Sequence, residues 1–135
     1  MNKILVDTNI LIYAIDEDSK FHQTSKNLIQ NPDFDLYITS KNIAEFLTVL
    51  TRSENISETI DGAIKLLDDL IGYFTVLYPS AASTEMFIEL LKKYKPRGLR
   101  VHDFEIISIG IVNGVDTIAT KNISDFKGIS EVQLI

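Results

Sequence analysis

The sequence predicts an α/β domain of three layers (α/β/α), with helices on both faces of a mostly parallel sheet of about five strands. Short apolar runs alternate with longer stretches of helical period along the whole chain. Strands separated by helices need crossover connections, and crossovers make parallel sheets. No repeat, low-complexity tract or linker interrupts the 135 residues, so one domain spanning 1–135 is expected.

Each element follows from its local pattern. Ile4-Leu5-Val6 is a buried-strand run stopped by Asp7-Thr8-Asn9, a turn or helix cap. A short helix is expected over Asn9–Ile15, and a second over Lys20–Gln30, ended by Asn31-Pro32. Leu36–Thr39 is the second strand, and Ser40 is placed to cap the helix after it. That helix, Lys41–Arg52, carries Ile43, Phe46, Leu47 and Leu50 at i, i+3, i+4, i+7 spacing. Another helix is expected over Ser57–Ile71, closed by Gly72. A strand over Phe74–Tyr78 and a helix over Ser83–Tyr94 follow, the latter ending before Pro96-Arg97-Gly98. Asp103–Val112 is apolar on most sides and reads as a buried helix, ended by Asn113-Gly114. Thr117–Thr120 and Val132–Ile135 are the last strands.

Composition narrows the function classes. Cysteine is absent, which excludes disulfides and thiolate metal sites and fits a reducing cytoplasm. The start of the chain does not read as a signal peptide, and no segment is apolar enough to span a membrane. A net charge of −6 argues against indiscriminate binding to polyanions. The basic residues are uneven, however: Lys92, Lys93, Lys95, Arg97 and Arg100 lie close together, either a solvated helix end or a phosphate-binding patch.

In parallel α/β sheets ligands sit beyond the carboxyl ends of the strands, so the residues after each strand carry the argument. Asp7 directly follows the first strand; alone, it reads first as an N-cap. Glu45 sits off the apolar stripe of its helix, on a face with Asn42, Val49 and Arg52 that looks toward the sheet edge or toward water. Asp103 opens an apolar helix without a reciprocal capping box, and a carboxylate placed there needs a cation or donors to offset its burial. After the fourth strand, Thr120, Asn122 and Asp125 add oxygen atoms at the same edge, whereas Asp116 falls at the opposite end. Oxygen-only ligands suit Mg²⁺ or Mn²⁺. His22 and His102 are the only histidines and make no zinc set. A phosphoacceptor receiver domain would need paired acids after the first strand, where Asp7 stands alone. A nucleotide-phosphate enzyme would need a glycine-rich phosphate loop, which is missing.

Taken in order, these features resemble the PIN-domain nucleases: strand-Asp7-Thr8-Asn9, Glu45 on the helix after the second strand, His102-Asp103 at an apolar helix, and Thr120-Lys121-Asn122-Ile123-Ser124-Asp125-Phe126 as the closing motif. Length and order are most similar to the VapC-type toxin ribonucleases. The resemblance implies a Mg²⁺-dependent endoribonuclease leaving 5′-phosphate and 3′-hydroxyl ends, with Mn²⁺ as an alternative metal. Asp7 and Asp103 would be the principal ligands, and Glu45 would hold metal or help activate water. Thr8, Asn9 and Thr120 would support the site. It further implies a homodimer, a small antitoxin partner and contact with DNA only through that antitoxin. Lys41, Arg52, Lys95, Arg97 and Arg100 are candidate RNA-backbone contacts, and Tyr13, Phe21 and Tyr94 candidate stacking residues. Two departures stand out. Asn122 occupies the place of the family's fourth acid, leaving Asp125 or a three-carboxylate site as options. Phe104 stands beside Asp103 where relatives carry a small residue, which bears on pocket shape. The competing reading is a PIN-like scaffold that binds without cutting.

Overall fold

In a computed structural model of the chain, which describes residues 2–52 and 58–135, five strands form one sheet. They are β1 (Asn2–Val6), β2 (Phe34–Thr39), β3 (Thr75–Leu77), β4 (Thr117–Ala119) and β5 (Gln133–Leu134). Their order is β3-β2-β1-β4-β5, and every pairing is parallel. The expected mostly parallel sheet is therefore wholly parallel. The chain moves outward from β1 through β2 to β3, then crosses back to place β4 on the other side of β1. The strand order thus reverses between β1 and β4, where such sheets place their ligands.

The helices are α1 (Thr8–Ile15), α2 (His22–Ile29), α3 (Ser40–Arg52), α4 (Ile60–Ile71), α5 (Ala81–Tyr94), α6 (Arg100–Val112) and the short α7 (Ile123–Phe126). The alternation of side chains along a strand divides the core in two. Ile4 and Val6 of β1, with Leu36 and Ile38 of β2, pack on one face against Ile10, Leu11, Phe46 and Leu50. Leu5 of β1 and Ile118 of β4 face the other way, onto Leu90, Phe104 and Ile107. Gly110 lets α6 press onto this second face: a Cβ there would stand 2.7 Å from the Val115 carbonyl oxygen and 3.0 Å from Leu5 Cδ2.

Several local expectations need correction. Ser40 does not cap α3. Thr39 does, with Asn42 reciprocating: Asn42 N donates to Thr39 Oγ1 at 3.2 Å and Thr39 N donates to Asn42 Oδ1 at 2.8 Å. Asp103 does not open its helix; α6 begins at Arg100 after Leu99, with no side-chain cap, and Asp103 lies in the first turn. The expected start of α4 at Ser57 lies outside the described residues; Thr59 caps the described helix by accepting from Gly62 N. The helix expected from Ser83 starts at Ala81, with Ser80 and Ser83 forming a capping box. The loop expected after β4 contains α7, only four residues long and too brief to show a period. Among the described residues, no helix is long and apolar enough to cross a membrane.

Candidate functional site

Asp7 sits at the switch point because the β1–β4 pairing carries one residue past the end of β1: Asp7 N donates to Ala119 O at 2.9 Å. Its carboxylate is held on both sides. Oδ1 accepts from Thr8 N at 2.8 Å, so Asp7 is the N-cap of α1. Oδ2 accepts from Thr120 Oγ1 at 2.7 Å. Asp7 is thus a helix cap that also stands at the switch point. Thr120 is itself buried, and its hydroxyl oxygen also accepts from Asn122 N at 3.0 Å.

A second chain of bonds fixes the start of α1. Asn42 Nδ2 donates to Thr8 Oγ1 at 2.9 Å, while Asn42 Oδ1 accepts from Thr39 Oγ1 at 2.7 Å. Thr8, Thr39 and Asn42 are all buried. Asn42 therefore ties the N-terminus of α3 to that of α1. The sequence reading placed Asn42 only on the Glu45 face and missed this role. The signal available was Thr39-x-x-Asn42, a reciprocal cap spacing.

Glu45 projects from the next turn of α3, half-buried, with Oε1 buried and without a hydrogen-bond partner. Burial raises its pKa and repulsion from Asp7 adds to that, against the pull of His102 and Lys41. Asp103 is raised to about 7, chiefly by burial, then by repulsion from Asp7, Asp125 and Glu45, with Arg100 opposing. Asp7 is raised by burial and, more weakly, by Asp125, against the hydrogen bonds from Thr120 and Thr8. Carboxylates from four parts of the chain thus stand close together, and the charges of Asp7, Glu45 and Asp125 disfavour ionisation of Asp103.

Two clefts meet at Glu45 and Val49. One, of about 260 Å³, is lined by Asp7, Thr8, Asn9, Ile12, Tyr13, Glu45, Val49 and Asn122. The other, of about 340 Å³, is lined by Lys41, Ala44, Glu45, Thr48, Val49, Arg52, Leu99 and His102. Asn9 contributes an amide whose nitrogen and oxygen are both buried and unpartnered.

The structure sorts the expected RNA contacts. Lys41 and Arg52 line the second cleft, though Lys41 also pairs with Glu105 at 3.5 Å. Arg100 donates to the Asp125 carbonyl at 3.0 Å and lies close enough to Asp103 to favour its charge. Lys95 and Arg97 are exposed and line neither cleft. Lys93 is tied to Glu131 at 2.7 Å. Tyr94 is not free to stack a base: its ring packs on Phe104 at 5.6 Å and its hydroxyl donates to Glu131. Phe104 is wholly buried in the second core and lines neither cleft, so it does not reshape the site as its place beside Asp103 suggested. His22 bonds the Tyr13 carbonyl oxygen at 2.9 Å, and His102 lines the second cleft.

The donor set fits a hard divalent cation. Every candidate ligand is an oxygen. Burial and mutual repulsion leave the carboxylates short of positive charge, and the buried Glu45 Oε1 has no partner. Among the described residues no three acids or histidines already stand at the spacing of ligands around one ion. That spacing is not required of a magnesium site, which uses one or two carboxylates and keeps several waters.

Comparison with known proteins agrees with this layout. A family model described as PIN domain matches residues 4–131. No curated protein matches the chain significantly. Among solved structures, the chain is similar to VapBC2 from Rickettsia felis bound to a promoter DNA fragment: 25% identity, TM-score 0.73, covering 98% of this chain and 97% of that one. VapBC-1 from nontypeable Haemophilus influenzae shares 23% identity at TM-score 0.70, with 98% and 96% covered. VapC20 from Mycobacterium tuberculosis, a sarcin-ricin-loop-cleaving toxin, shares 18% identity at TM-score 0.66, with 85% and 86% covered. With the family model spanning nearly the whole chain, the protein belongs to the PIN domain family.

Proposed function

We propose that this protein is a Mg²⁺-dependent endoribonuclease, with Mn²⁺ as an alternative metal, and the toxin component of a VapBC-type toxin–antitoxin pair. The observation that carries the reading is the carboxylate group at the switch point: Asp7, braced by Thr8 and Thr120, lies near enough to raise the protonation of Glu45 and Asp103, and Asp125 near enough to raise that of Asp7 and Asp103. Such a cluster is unfavourable in isolation and is stabilised by a cation.

Asp7 and Asp103 would be the principal ligands, with Glu45 beside them and Asn122 or Asp125 completing the shell. A bound divalent ion supplies polarisation of the attacking water and screening of charge on the phosphate in the transition state. The protein supplies the rest. Thr8, Thr120 and Asn42 hold the Asp7 end of the cleft rigid. Glu45, which lines both clefts, would accept a proton from water through its carboxylate. Lys41 and Arg52, which line the second cleft, and Arg100 beside Asp125 would contact the RNA backbone.

The toxin assignment draws on the VapBC complexes among the similar structures, two of which are bound to DNA. It brings a homodimer, a small antitoxin and DNA contact only through that antitoxin, with the pair acting in the cytoplasm.

The test is cleavage of total cellular RNA by the purified protein with Mg²⁺, with Mn²⁺ and with EDTA, beside Asp7→Asn. Discrete metal-dependent fragments absent from the variant support the reading. A folded, metal-supplied protein that binds RNA without cutting it would point instead to a PIN-like scaffold, the reading that Asn122 in place of a fourth acid favours.

A further inference from the structure

The cleft that holds Asp7 has one aromatic residue on its lining, and two lysines stand near the ring that residue packs against. Tyr13 lines it together with Asn9, Glu45 and Asn122. The Tyr13 ring packs on Phe21 with centroids 5.0 Å apart and planes tilted by 49°. Two ammonium groups converge on the same Phe21: Lys20 Nζ stands 5.0 Å from its centroid and Lys121 Nζ 5.5 Å. Lys20 comes from the turn between α1 and α2, and Lys121 from the loop after β4, directly before Asn122.

Both lysines are exposed, and among the described residues neither has an acidic partner; the ion pairs there are Lys41–Glu105 and Lys93–Glu131. In a chain of net charge −6, two lysines from distant segments near one ring, neither of them salt-bridged among the described residues, is an arrangement for an outside anion. The backbone that carries the two rings is held by hydrogen bonds. His22 Nδ1 bonds Tyr13 O at 2.9 Å, Phe21 N donates to Ser19 Oγ at 3.1 Å, and Thr24 Oγ1 donates to Phe21 O at 3.1 Å.

We propose that Tyr13, Phe21, Lys20 and Lys121 form a nucleotide subsite beside the cutting centre. Tyr13, backed by Phe21, stacks one unpaired base, and Lys20 and Lys121 hold its phosphate. The ligand is a single-stranded stretch of RNA, because a base inside a duplex cannot offer its face to the ring. Stacking tolerates any base, so the subsite selects unpaired from paired RNA and leaves sequence choice to other contacts. This rests on the nuclease reading above.

The experiment is fluorescence anisotropy with a uridine decamer and with a decamer of abasic ribose phosphates. It is run on Asp103→Asn protein in metal-free buffer, with cleavage by the wild-type protein measured alongside. Tyr13→Leu is expected to weaken uridine-decamer binding roughly ten-fold, to leave abasic-decamer binding unchanged, and to be rescued by Tyr13→Phe. Lys20→Ala/Lys121→Ala is expected to weaken both and to lower the salt slope by about 0.7 to 1.4, one to two phosphate contacts on a single strand. If wild-type protein cuts RNA while these variants bind as tightly and with the same slope, the subsite is wrong and the nuclease stands. If Tyr13→Leu weakens both decamers equally, the ring is structural and stacking is overturned. If the protein neither binds nor cuts RNA, both readings fall together.

Discussion

Thr120 Oγ1 and Asp7 Oδ2 lie 2.7 Å apart across 113 residues of sequence, and that bond closes the point where the sheet reverses its order. Thr120 follows β4 and Asp7 follows β1, so the bond joins the two strands at the carboxyl edge where a ligand must enter.

Thr120→Val keeps the shape and removes the donor. Hydrogen bonds to charged groups contribute about 1.5–3 kcal/mol, so a loss of stability in that range is expected. The Asp7 pKa, already raised by burial, rises further without this donor. The expected result is lower nuclease activity with its pH profile displaced upward, and recovery in Thr120→Ser. Urea denaturation and a pH series of cleavage rates check it; an unshifted profile would separate Thr120 from the ionisation of Asp7.

Asp103 gives a prediction that needs no substrate. Its folded pKa of about 7 lies above the ordinary aspartate value of 3.8. A raised pKa in the folded state means a contribution to stability that is fully present below about pH 4 and lost as pH rises through about 7. At pH 8 the metal-free protein therefore carries an ionised, repelled carboxylate. Asp103→Asn should raise stability there by about 2 kcal/mol, roughly half the full linkage value because the group is partly solvated. The gain should shrink as the pH falls from 7 to 4. Thermal melts in EDTA across that range check it, and a pH-independent difference would show that Asp103 is not strained by its neighbours. Adding Mg²⁺ at pH 8 should raise the Tm of wild type more than that of the variant.

The parts of this site that were readable in the sequence are those set by local pattern. Ile4-Leu5-Val6 followed by Asp7 marks a buried strand and what stands at its end, because an apolar run and a charge are both local signals. The start of α6 was not readable. Leu99 offers no capping side chain, so the first polar cap residue in view, Asp103, attracted the boundary, while the backbone turns at Arg100. Thr39 and Ser40 are equally good caps on paper, and only the Asn42 amide decides between them. The basic cluster read as one patch because its residues are neighbours in sequence. In space Lys93 is drawn to Glu131 on the far end of the chain while Arg100 turns to the Asp125 carbonyl. Convergence of that kind depends on crossover geometry, which no window of sequence contains.

Asn42 is the residue whose importance was least visible. Asn42→Ala would leave Thr39 N and the Thr8 hydroxyl without their buried partners. Each such loss costs about 1–3 kcal/mol, so the two together give an expected destabilisation of about 2–6 kcal/mol. Nuclease activity should fall beyond the loss of folded protein, because α1 and its cap Asp7 lose their tie to α3. Chemical denaturation with cleavage assayed at a temperature where the variant is fully folded separates the two effects. A stable but inactive variant assigns Asn42 to positioning, and an unstable but fully active one assigns it to packing.

Asn122→Asp tests what completes the shell. Asn122 is exposed and lines the Asp7 and Glu45 cleft. A fourth carboxylate here adds repulsion in the metal-free state and attraction for a cation in the loaded one. The expected outcome is a lower Tm in EDTA, tighter Mn²⁺ binding by calorimetric titration, and cleavage retained or increased. The three readouts move together only if position 122 faces the ion. If Mn²⁺ affinity is unchanged while cleavage collapses, the amide of Asn122 acts as a donor to the RNA. The ligand set would then close on Asp125, whose charge already acts on both Asp7 and Asp103.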